Sequence, residues 1–375
     1  MKTFLVISNA SVLGGAEVSL LNLIECVLLY PDVDRVVLYA GNIEHINSVE
    51  RLKSEKVFVI KPSCKIKTYP KFIRYFFEAV LGVCDLIKIA NKYSPDYILC
   101  NVYKGALYLW FANFFCSLTG LVIYYVRDYS WHLIQLVGCG IKRKKYLVPS
   151  KAVMERYIAL RDQAVVLGNI ADITDMGGMS EVNNKFSQGF DLKVLCLGMI
   201  VPRKGYEYII RAVVMMNKRG RRVQLKIVGR AVDERYCESL IHEIETSDFS
   251  NFLHIVPHST EVSSYYKECD VVAVPSISEY DGPETFGRTI IEAWSFKKPV
   301  VAFSCGGPKY LIKNGWDGRL VKEKDINGLT DALDFFARNK SYISLYGERG
   351  YSKVKSKYSR QFICNEFKKL LKKGC

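Results

Sequence analysis

Short apolar runs rich in β-branched residues alternate with longer amphipathic stretches along the first half of the chain. The short runs predict buried strands and the longer stretches predict helices. Their regular alternation is typical of a parallel sheet whose strands are joined by crossover helices. The predicted strands are Lys2 to Ile7, Arg35 to Ala40, Val57 to Ile60, Tyr97 to Cys100, Leu121 to Val126, Tyr146 to Pro149 and Val165 to Leu167. The predicted helices are Val18 to Leu29, Phe72 to Lys92 and Lys151 to Ala159.

The same alternation restarts in the second half, after a stretch from Asn169 to Lys185 that loses periodicity and gathers Asp, Gly, Met and Asn. A chain of 375 residues exceeds what one hydrophobic core usually serves, so two domains are expected. We therefore predict an α/β protein with doubly wound domains over residues 1–175 and 186–350. The predicted strands of the second domain are Lys193 to Gly198, Val223 to Gly229, Phe252 to Val256, Asp270 to Pro275 and Pro299 to Phe303.

Two glutamates, Glu284 and Glu292, flank the start of a predicted helix over Thr285 to Phe296. Glu284 follows a strand at its carboxyl end, where open α/β sheets bind ligands, and helical side chains lean back toward the same edge. The helix N-terminus, opened by Gly287, suits a phosphate. Two carboxylates that can bind hydroxyls beside an anion site predict a sugar nucleotide ligand. The alternative is a solvated helix with two surface glutamates.

The residues of this stretch follow the pattern P-S-x(n)-E-x-F-G-x(4)-E-A, with Pro275-Ser276, Glu284, Phe286-Gly287 and Glu292-Ala293. Through this pattern the sequence resembles the retaining GT-B glycosyltransferases of glycosyltransferase family 4. The resemblance implies two Rossmann-like doubly wound domains facing a cleft, with a helix in residues 351–375 crossing back to the N-terminal acceptor-side domain. It also implies that Glu284 meets the donor sugar, that Glu292 meets the ribose, and that the backbone of Phe286 and Gly287 holds the phosphates.

Two further segments match the family in part. Gly14-Gly15 lies between the first strand and the first helix, where glycines let the backbone approach a ligand. In the family a similar loop faces the donor phosphate and the acceptor. Arg203 and Lys204 place cations beside the diphosphate, which suits a leaving group that develops negative charge. Met199 stands where the family usually has Arg, and whether Arg203 replaces that Arg stays open.

Arg127 follows the predicted buried strand at a position where many family members carry a His. A guanidinium cannot act as a base, so we expect Arg127 to bind the donor sugar or an anionic acceptor. Asp128 would orient it, and Tyr129 and Trp131 would form a wall on which a sugar stacks. His132 is the alternative replacement for the family His, and an Arg-Asp pair that caps a strand end is the structural alternative.

The formal net charge of +15 suggests that the protein binds an anionic partner. Residues 351–375 hold eight lysines and arginines against one glutamate, and basic and aromatic residues alternate from Lys65 to Lys92. This second pattern predicts a basic amphipathic helix on an anionic membrane surface. The alternative is solvated charge on one face and core aromatics on the other. The sequence contains no recognisable nucleic-acid module, so nucleic acid is not expected as a partner.

The twelve cysteines form no C-x-x-C pair, so we expect reduced core thiols in a cytosolic protein. The uncharged run from Gly105 to Val126 is interrupted by polar residues and predicts a helix, a turn and a strand rather than a membrane span. The first residues predict a strand rather than a signal sequence. Asp32-Val33-Asp34 precedes a strand instead of following one, and we expect neither a metal nor a cofactor.

Together these features predict a metal-independent glycosyltransferase that retains anomeric configuration. It would move a sugar from a nucleotide-sugar donor to a glycan or lipid-linked acceptor in surface polysaccharide assembly. We expect it in the cytoplasm or peripherally on the inner face of the membrane. Two alternatives are a nucleotide-sugar epimerase on the same fold and a non-catalytic GT-B partner subunit.

Overall fold

The computed structural model describes the chain except for residues 9–14, 42, 51, 53, 64–70, 132–133, 161, 172–188, 258–260, 281 and 373–375. The Cα positions divide it into two compact units. The first comprises Met1–Ile170 together with Arg360–Cys375, and the second comprises Ala171–Ser359. The chain therefore rejoins the first unit at Arg360, nine residues beyond the expected 351, because the preceding helix packs its buried side chains into the second unit.

Within its described residues, the first unit contains a seven-stranded parallel sheet in the order β3-β2-β1-β4-β5-β6-β7. The strands are β1 (Lys2–Ser8), β2 (Val33–Ala40), β3 (Val57–Ile60), β4 (Tyr97–Cys100), β5 (Leu121–Tyr125), β6 (Lys144–Val148) and β7 (Ala164–Val166). The helices are α1 (Gly15–Leu28), α2 (Ile43–Glu50), α3 (Lys71–Tyr93), α4 (Tyr103–Ala112), α5 (Ile134–Val137) and α6 (Lys151–Arg156), with a 3₁₀ turn at Ile158–Leu160.

Each face of this sheet is buried in its own core, because side chains alternate along a strand. Phe4 and Val6 of β1 pack in one cluster with Leu20 and Leu23 of α1. Leu5 and Ile7 face the other way and pack among residues of α3 and α4. This double burial explains why the strands read as near-continuous apolar runs in the sequence.

One cysteine prediction is wrong. Cys26 of α1 and Cys364 form a disulfide, with their Cα atoms 5.3 Å apart. The 338 residues between them hid the pair from sequence reasoning, because no local spacing marks it. The Tyr30 hydroxyl donates to the Cys364 carbonyl at 2.6 Å, and Arg360 pairs with Glu25. These contacts fix the final helix against α1 inside the first unit.

The second unit, again within its described residues, contains a six-stranded parallel sheet in the order β10-β9-β8-β11-β12-β13. The strands are β8 (Leu192–Leu197), β9 (Val223–Val228), β10 (Leu253–Val256), β11 (Val271–Val274), β12 (Val300–Phe303) and β13 (Gly318–Val321). Its helices are α7 (Tyr206–Lys218), α8 (Glu234–Glu245), α9 (Val262–Glu268), α10 (Arg288–Ser295), α11 (Pro308–Leu311), α12 (Ile326–Arg338) and α13 (Lys340–Lys357), and α14 (Arg360–Lys372) returns to the first unit.

The predicted α/β class with two doubly wound parallel sheets is confirmed. The uncharged run from Gly105 to Val126 forms most of α4, a turn and β5, as predicted. Among the helices in the described part of the chain, none has the length and apolar character needed to cross a bilayer.

Candidate functional site

Glu284 lies in the loop between β11 and α10, at the carboxyl edge of the second sheet. Its Oε2 atom is 2.5 Å from Nζ of Lys204, which belongs to a 3₁₀ turn at Pro202–Lys204 after β8. The two side chains are only 17% and 13% exposed, so this ion pair is largely shielded from solvent. Strands β8 and β11 are neighbours, and the order of the sheet reverses between them. The pair therefore lies at the point where open α/β sheets usually bind ligands.

The Glu284 carboxylate is held in its ionised form. Burial acts to raise its pKa, but Lys204, Arg203 and the backbone N–H of Gly287 outweigh burial, and the net shift is downward from 4.5. A buried carboxylate kept ionised in this way can accept hydrogen bonds from ligand hydroxyls at any ordinary pH. It is poorly suited to donate a proton.

Close backbone packing fixes the loop that carries Glu284. Gly287, at φ 101°, is in the left-handed region and caps the N-terminus of α10. The Gly307 N–H donates to the Glu284 carbonyl at 2.6 Å. A Cβ atom on Gly306 would lie 2.3 Å from the Glu284 carbonyl oxygen. Glycine is therefore needed at positions 306 and 307 for space beside Glu284 and Phe286.

The loop that carries Lys204 is tied to the end of β11. The Ile277 N–H donates to the Arg203 carbonyl at 2.9 Å. A Cβ atom on Gly205, where φ is 61°, would lie 2.2 Å from the carbonyl oxygen of Pro275. The backbone of the Arg203-Lys204 turn is thus anchored beside Glu284, while the Arg203 side chain contributes positive charge to the same site.

Glu292 lies in the second turn of α10, and its carboxylate accepts hydrogen bonds from two side chains. Arg288 donates to its Oε1 at 2.7 Å, and the buried Tyr266 hydroxyl donates to its Oε2 at 2.9 Å. Sequence reasoning missed both partners. The i,i+4 spacing of Arg288 and Glu292 could have indicated the first, but nothing in the sequence brings Tyr266 of α9 to this helix.

The Phe286 side chain is part of the core and not of the ligand surface. It is buried and makes an edge-to-face contact with Tyr358, with ring centroids 5.8 Å apart. Any contact with a ligand at this position therefore belongs to the backbone, as the sequence analysis expected. The side chain instead fixes the segment from Glu284 to α10 onto the core.

Two buried hydroxyls near the Lys204–Glu284 pair have no hydrogen-bond partner in the described part of the chain. They are the Tyr206 hydroxyl, at the start of α7, and Ser276 Oγ, after β11. Burial, followed by electrostatic interaction with Cys196 and Glu284, raises the pKa of Tyr206 well above its ordinary value. The Tyr206 hydroxyl therefore stays neutral, and both hydroxyls can donate to a ligand.

Arg127, in the first unit, is only 6% exposed. One guanidinium nitrogen donates to the Ala16 carbonyl of α1 at 2.8 Å, and the group stacks on Tyr125 at 3.6 Å from the ring centre. Asp128 accepts hydrogen bonds from the Ser130 N–H and hydroxyl. Arg127 thus holds the first turn of α1 in place.

The predicted sugar-stacking wall is wrong for Trp131. This residue is 0% exposed and packs against Tyr103 and Tyr124, so no face of its ring is open to a sugar. Gly15 opens α1, and its carbonyl accepts a hydrogen bond from Ser19 at 2.9 Å. Two other predicted positions, Gly14 and His132, lie outside the described residues. Within the described ranges no group of three or more His, Cys, Asp or Glu residues has a geometry that could hold a metal.

Comparison with known proteins bears on both halves of the chain. Residues 180–353 match the family model described as "Glycosyl transferases group 1". The capsular polysaccharide biosynthesis glycosyltransferase CapM of Staphylococcus aureus is 23% identical over 311 residues, which is 81% of this chain and 66% of CapM. An uncharacterized glycosyltransferase of Haemophilus influenzae is 28% identical over 157 residues, 42% of each chain. The matches span less than two thirds of the length of either relative.

Solved structures resemble the whole chain. HepE from Anabaena, in complex with UDP, matches with a TM-score of 0.82 at 19% identity over 100% of both chains. The protein has the GT-B fold. A sucrose-phosphate synthase from Thermosynechococcus elongatus gives a TM-score of 0.78 at 18% identity over 100% of this chain and 99% of that one. At these identities the likeness establishes the GT-B fold alone, and the candidate site rests on the geometry described above.

Proposed function

We propose that this GT-B protein is a glycosyltransferase of family 4 that retains anomeric configuration. It transfers a sugar from a nucleotide-sugar donor to a glycan or lipid-linked acceptor in surface polysaccharide assembly. Support comes from the group 1 match over residues 180–353 and from the polysaccharide and UDP-binding relatives. In this proposal the second unit binds the donor and the first unit binds the acceptor.

The observation that carries this proposal is the Lys204–Glu284 pair at 2.5 Å beside the N-terminus of α10. A donor diphosphate needs cations, and its sugar hydroxyls need a fixed acceptor. Lys204 supplies the cation and Glu284 supplies the acceptor, and the two groups lie at hydrogen-bond distance from each other. Glu292, oriented by Arg288 and Tyr266, keeps further acceptor capacity on its two oxygens for the ribose hydroxyls.

In the proposed step the bond between the sugar C1 and the diphosphate oxygen breaks, and a bond from C1 to the acceptor oxygen forms on the same face. The acceptor proton goes to the departing phosphate oxygen. Lys204 and Arg203 stabilise the charge that develops on the leaving group. Glu284 stays ionised and orients the donor sugar. The chain then needs neither a nucleophilic side chain nor a metal for this step.

A screen of nucleotide sugars by thermal shift tests donor binding, with UDP-glucose and GDP-mannose as the first two compounds. A bound donor at a hundredfold its dissociation constant should add about 2.7 kcal/mol of apparent stability. At the same donor concentration the shift should be about half as large in Glu292→Ala, because a tenfold weaker affinity leaves about 1.4 kcal/mol of apparent stability. Release of the nucleotide only when an acceptor is present supports a transferase, whereas an isomerised nucleotide sugar without release indicates an epimerase. No shift with any nucleotide sugar would contradict the proposal.

We also propose that the first unit attaches peripherally to an anionic membrane. On α3 the residues Ile73, Phe76, Phe77 and Val80 are 40–61% exposed and follow the i, i+3, i+4, i+7 spacing of one helix face. We call these four residues the α3 stripe. The first unit, residues 1–170 and 360–375, holds 26 lysines and arginines against 14 aspartates and glutamates. An exposed apolar stripe on a strongly basic unit fits an anionic bilayer surface.

Sedimentation with vesicles tests the attachment. Wild-type protein should bind vesicles containing phosphatidylserine at low salt, and binding should weaken as salt screens the cations. The double variant Phe76→Ser, Phe77→Ser should lose binding, whereas Phe115→Ser, which removes a still more exposed ring three residues after α4, should keep it. Equal binding of both variants, or no wild-type binding at low salt, would exclude the α3 stripe as the contact.

A further inference from the structure

Three neighbouring strands of the first sheet end side by side. Ile7 of β1 pairs with Cys100 of β4, and Cys100 pairs with Tyr124 of β5. The Asn101 N–H donates to the Ile7 carbonyl at 3.0 Å, which extends the pairing by one residue. The next residues, Ser8 and Asn101, are therefore neighbours at the carboxyl edge.

The side chains of Ser8 and Asn101 share the face that α1 covers. Ile7 and Cys100 pack in the core on the α4 side, so the residues that follow them point to the opposite face. Tyr125, two residues before Arg127, packs on that same opposite face with Leu20 of α1. The strand order reverses at β1, which has β2 on one side and β4 on the other. This is the place where an α/β sheet usually binds its ligand.

The side-chain polar atoms of Ser8 and Asn101 have no hydrogen-bond partner within the described ranges. Asn101 is 3% exposed, and neither its Nδ2 nor its Oδ1 has a hydrogen-bond partner among the described residues. Ser8 Oγ is also buried and has no hydrogen-bond partner in the part of the chain that the structure describes. Native proteins pair nearly all such groups, and an unpaired one destabilises the fold. Three unpaired atoms on two adjacent residues indicate a bound group that completes them.

The chemistry of these atoms defines that group. One end of an amide must receive a hydrogen bond and the other must donate one, whichever way the amide is turned. A hydroxyl does both, whereas a fully ionised phosphate can only accept. Glu17, in the first turn of α1, is buried close to the helix N-terminus, and its carboxylate disfavours an anion there. The Arg127 guanidinium already donates to the Ala16 carbonyl.

We propose that Ser8 and Asn101 bind hydroxyls of an uncharged sugar, and that this sugar is the acceptor-end residue of the proposed transfer. Arg127 acts as a positioning residue that holds the first turn of α1 beside it. The role of this sugar as the acceptor rests on the proposed function. The binding of an uncharged sugar to the first unit can be tested separately.

The test compares two buried asparagines. Asn217 is buried as deeply as Asn101, but it exchanges two hydrogen bonds with Val223, at 3.1 and 2.7 Å. Asn217→Leu should lower the melting temperature. Asn101→Leu should leave it unchanged or raise it, because no side-chain hydrogen bond to a described residue is lost. The KM for the acceptor should rise about tenfold, the factor given by 1.4 kcal/mol. The KM for the donor should stay within twofold of the wild-type value.

Binding is measured by saturation-transfer NMR with glucose, galactose and N-acetylglucosamine, and inorganic phosphate serves as the competitor. At the same sugar concentration, below its dissociation constant, the signal should persist in Glu292→Ala, fall severalfold in Asn101→Leu, and resist phosphate. A signal that is unchanged in Asn101→Leu, a signal displaced by phosphate, or no signal in the wild type would overturn the inference. If nucleotide sugars fail to bind while this pattern holds, the proposed function fails and the sugar site stands.

Discussion

The carboxyl edges of the two sheets have the same topology but opposite chemistry. In the second unit the strand order reverses between β8 and β11, and the edge holds Lys204 and Glu284 paired at 2.5 Å. In the first unit it reverses between β1 and β4, and the edge holds Ser8 and Asn101, whose neutral side chains have no hydrogen-bond partner among the described residues. The fold thus sets where a ligand can bind, and the residues at the strand ends set which ligand it is.

The difference is not a matter of overall charge. The first unit carries 26 basic against 14 acidic residues, and the second carries 27 against 24, so the excess of basic residues lies in the unit whose strands β1 and β4 end in neutral side chains. Most charges of the first unit therefore act over its surface and not at the strand ends. Preorganised charges suit a diphosphate, whereas buried neutral groups suit hydroxyls.

The largest expected effect comes from breaking the charged edge. Lys204→Ala should cost on the order of 3 kcal/mol of transition-state stabilisation, comparable to the loss of one preorganised donor. It also leaves the Glu284 carboxylate buried with less compensating charge. Steady-state kinetics with a saturating acceptor would measure the change.

A double variant separates these two causes. Lys204→Ala with Glu284→Gln should recover melting temperature relative to Lys204→Ala, because the uncompensated charge is gone, but it should not recover activity. Turnover within twofold of wild type in Lys204→Ala would show that the pair is structural.

A smaller effect is expected at Glu292. Glu292→Ala should weaken binding of the free nucleotide by about tenfold, the equivalent of one lost charge-assisted hydrogen bond. Titration calorimetry with UDP and GDP measures it. Glu261→Ala, which removes a glutamate just before α9, is the control and should leave nucleotide affinity unaltered. If both variants bind alike, Glu292 only orients Arg288 and Tyr266.

Arg127 tests the neutral edge. Arg127→Lys keeps the charge but loses the planar stacking on Tyr125 and weakens the bond to Ala16. We expect a loss of about 1–2 kcal/mol of stability, together with a severalfold rise in the KM for the acceptor, because the first turn of α1 is less well fixed. Denaturant unfolding and acceptor kinetics measure the two parts. A change in donor KM alone would place Arg127 with the donor instead.

The smallest effect is on the pH dependence of stability. The pKa of Glu284 is lowered in the folded protein, so its ionisation stabilises the fold above the ordinary pKa of 4.5, and this contribution disappears as the pH falls through the lowered value. The difference in melting temperature between wild type and Glu284→Gln should therefore be largest near neutral pH and shrink in acid. A difference that stays constant from pH 7 to about 3 would contradict the lowered pKa.

The fold class and much of the candidate site in the second unit could be predicted from the sequence. Nearly every strand was predicted to within a few residues, because strands buried on both faces read as continuous apolar runs. The pattern around Glu284, Gly287 and Glu292 was local, and a local pattern stays together when the chain folds. Lys204 was predicted from its place after a strand, and the structure brings its ammonium to Glu284.

Tertiary structure alone decided everything that joins distant segments. Cys26 and Cys364, 338 residues apart, form a disulfide that spacing could not suggest, and Tyr266 reaches Glu292 from another helix. The burial of Trp131 and the pairing of Arg127 with Ala16 depend on how α1, α4 and β5 pack. Likewise, Ser8 and Asn101 are ordinary residues in the sequence, and only the register of β1 with β4 makes them one unpartnered cluster. The sequence gives the type of each side chain, but the pairing of the strands decides which polar atoms can bind a ligand.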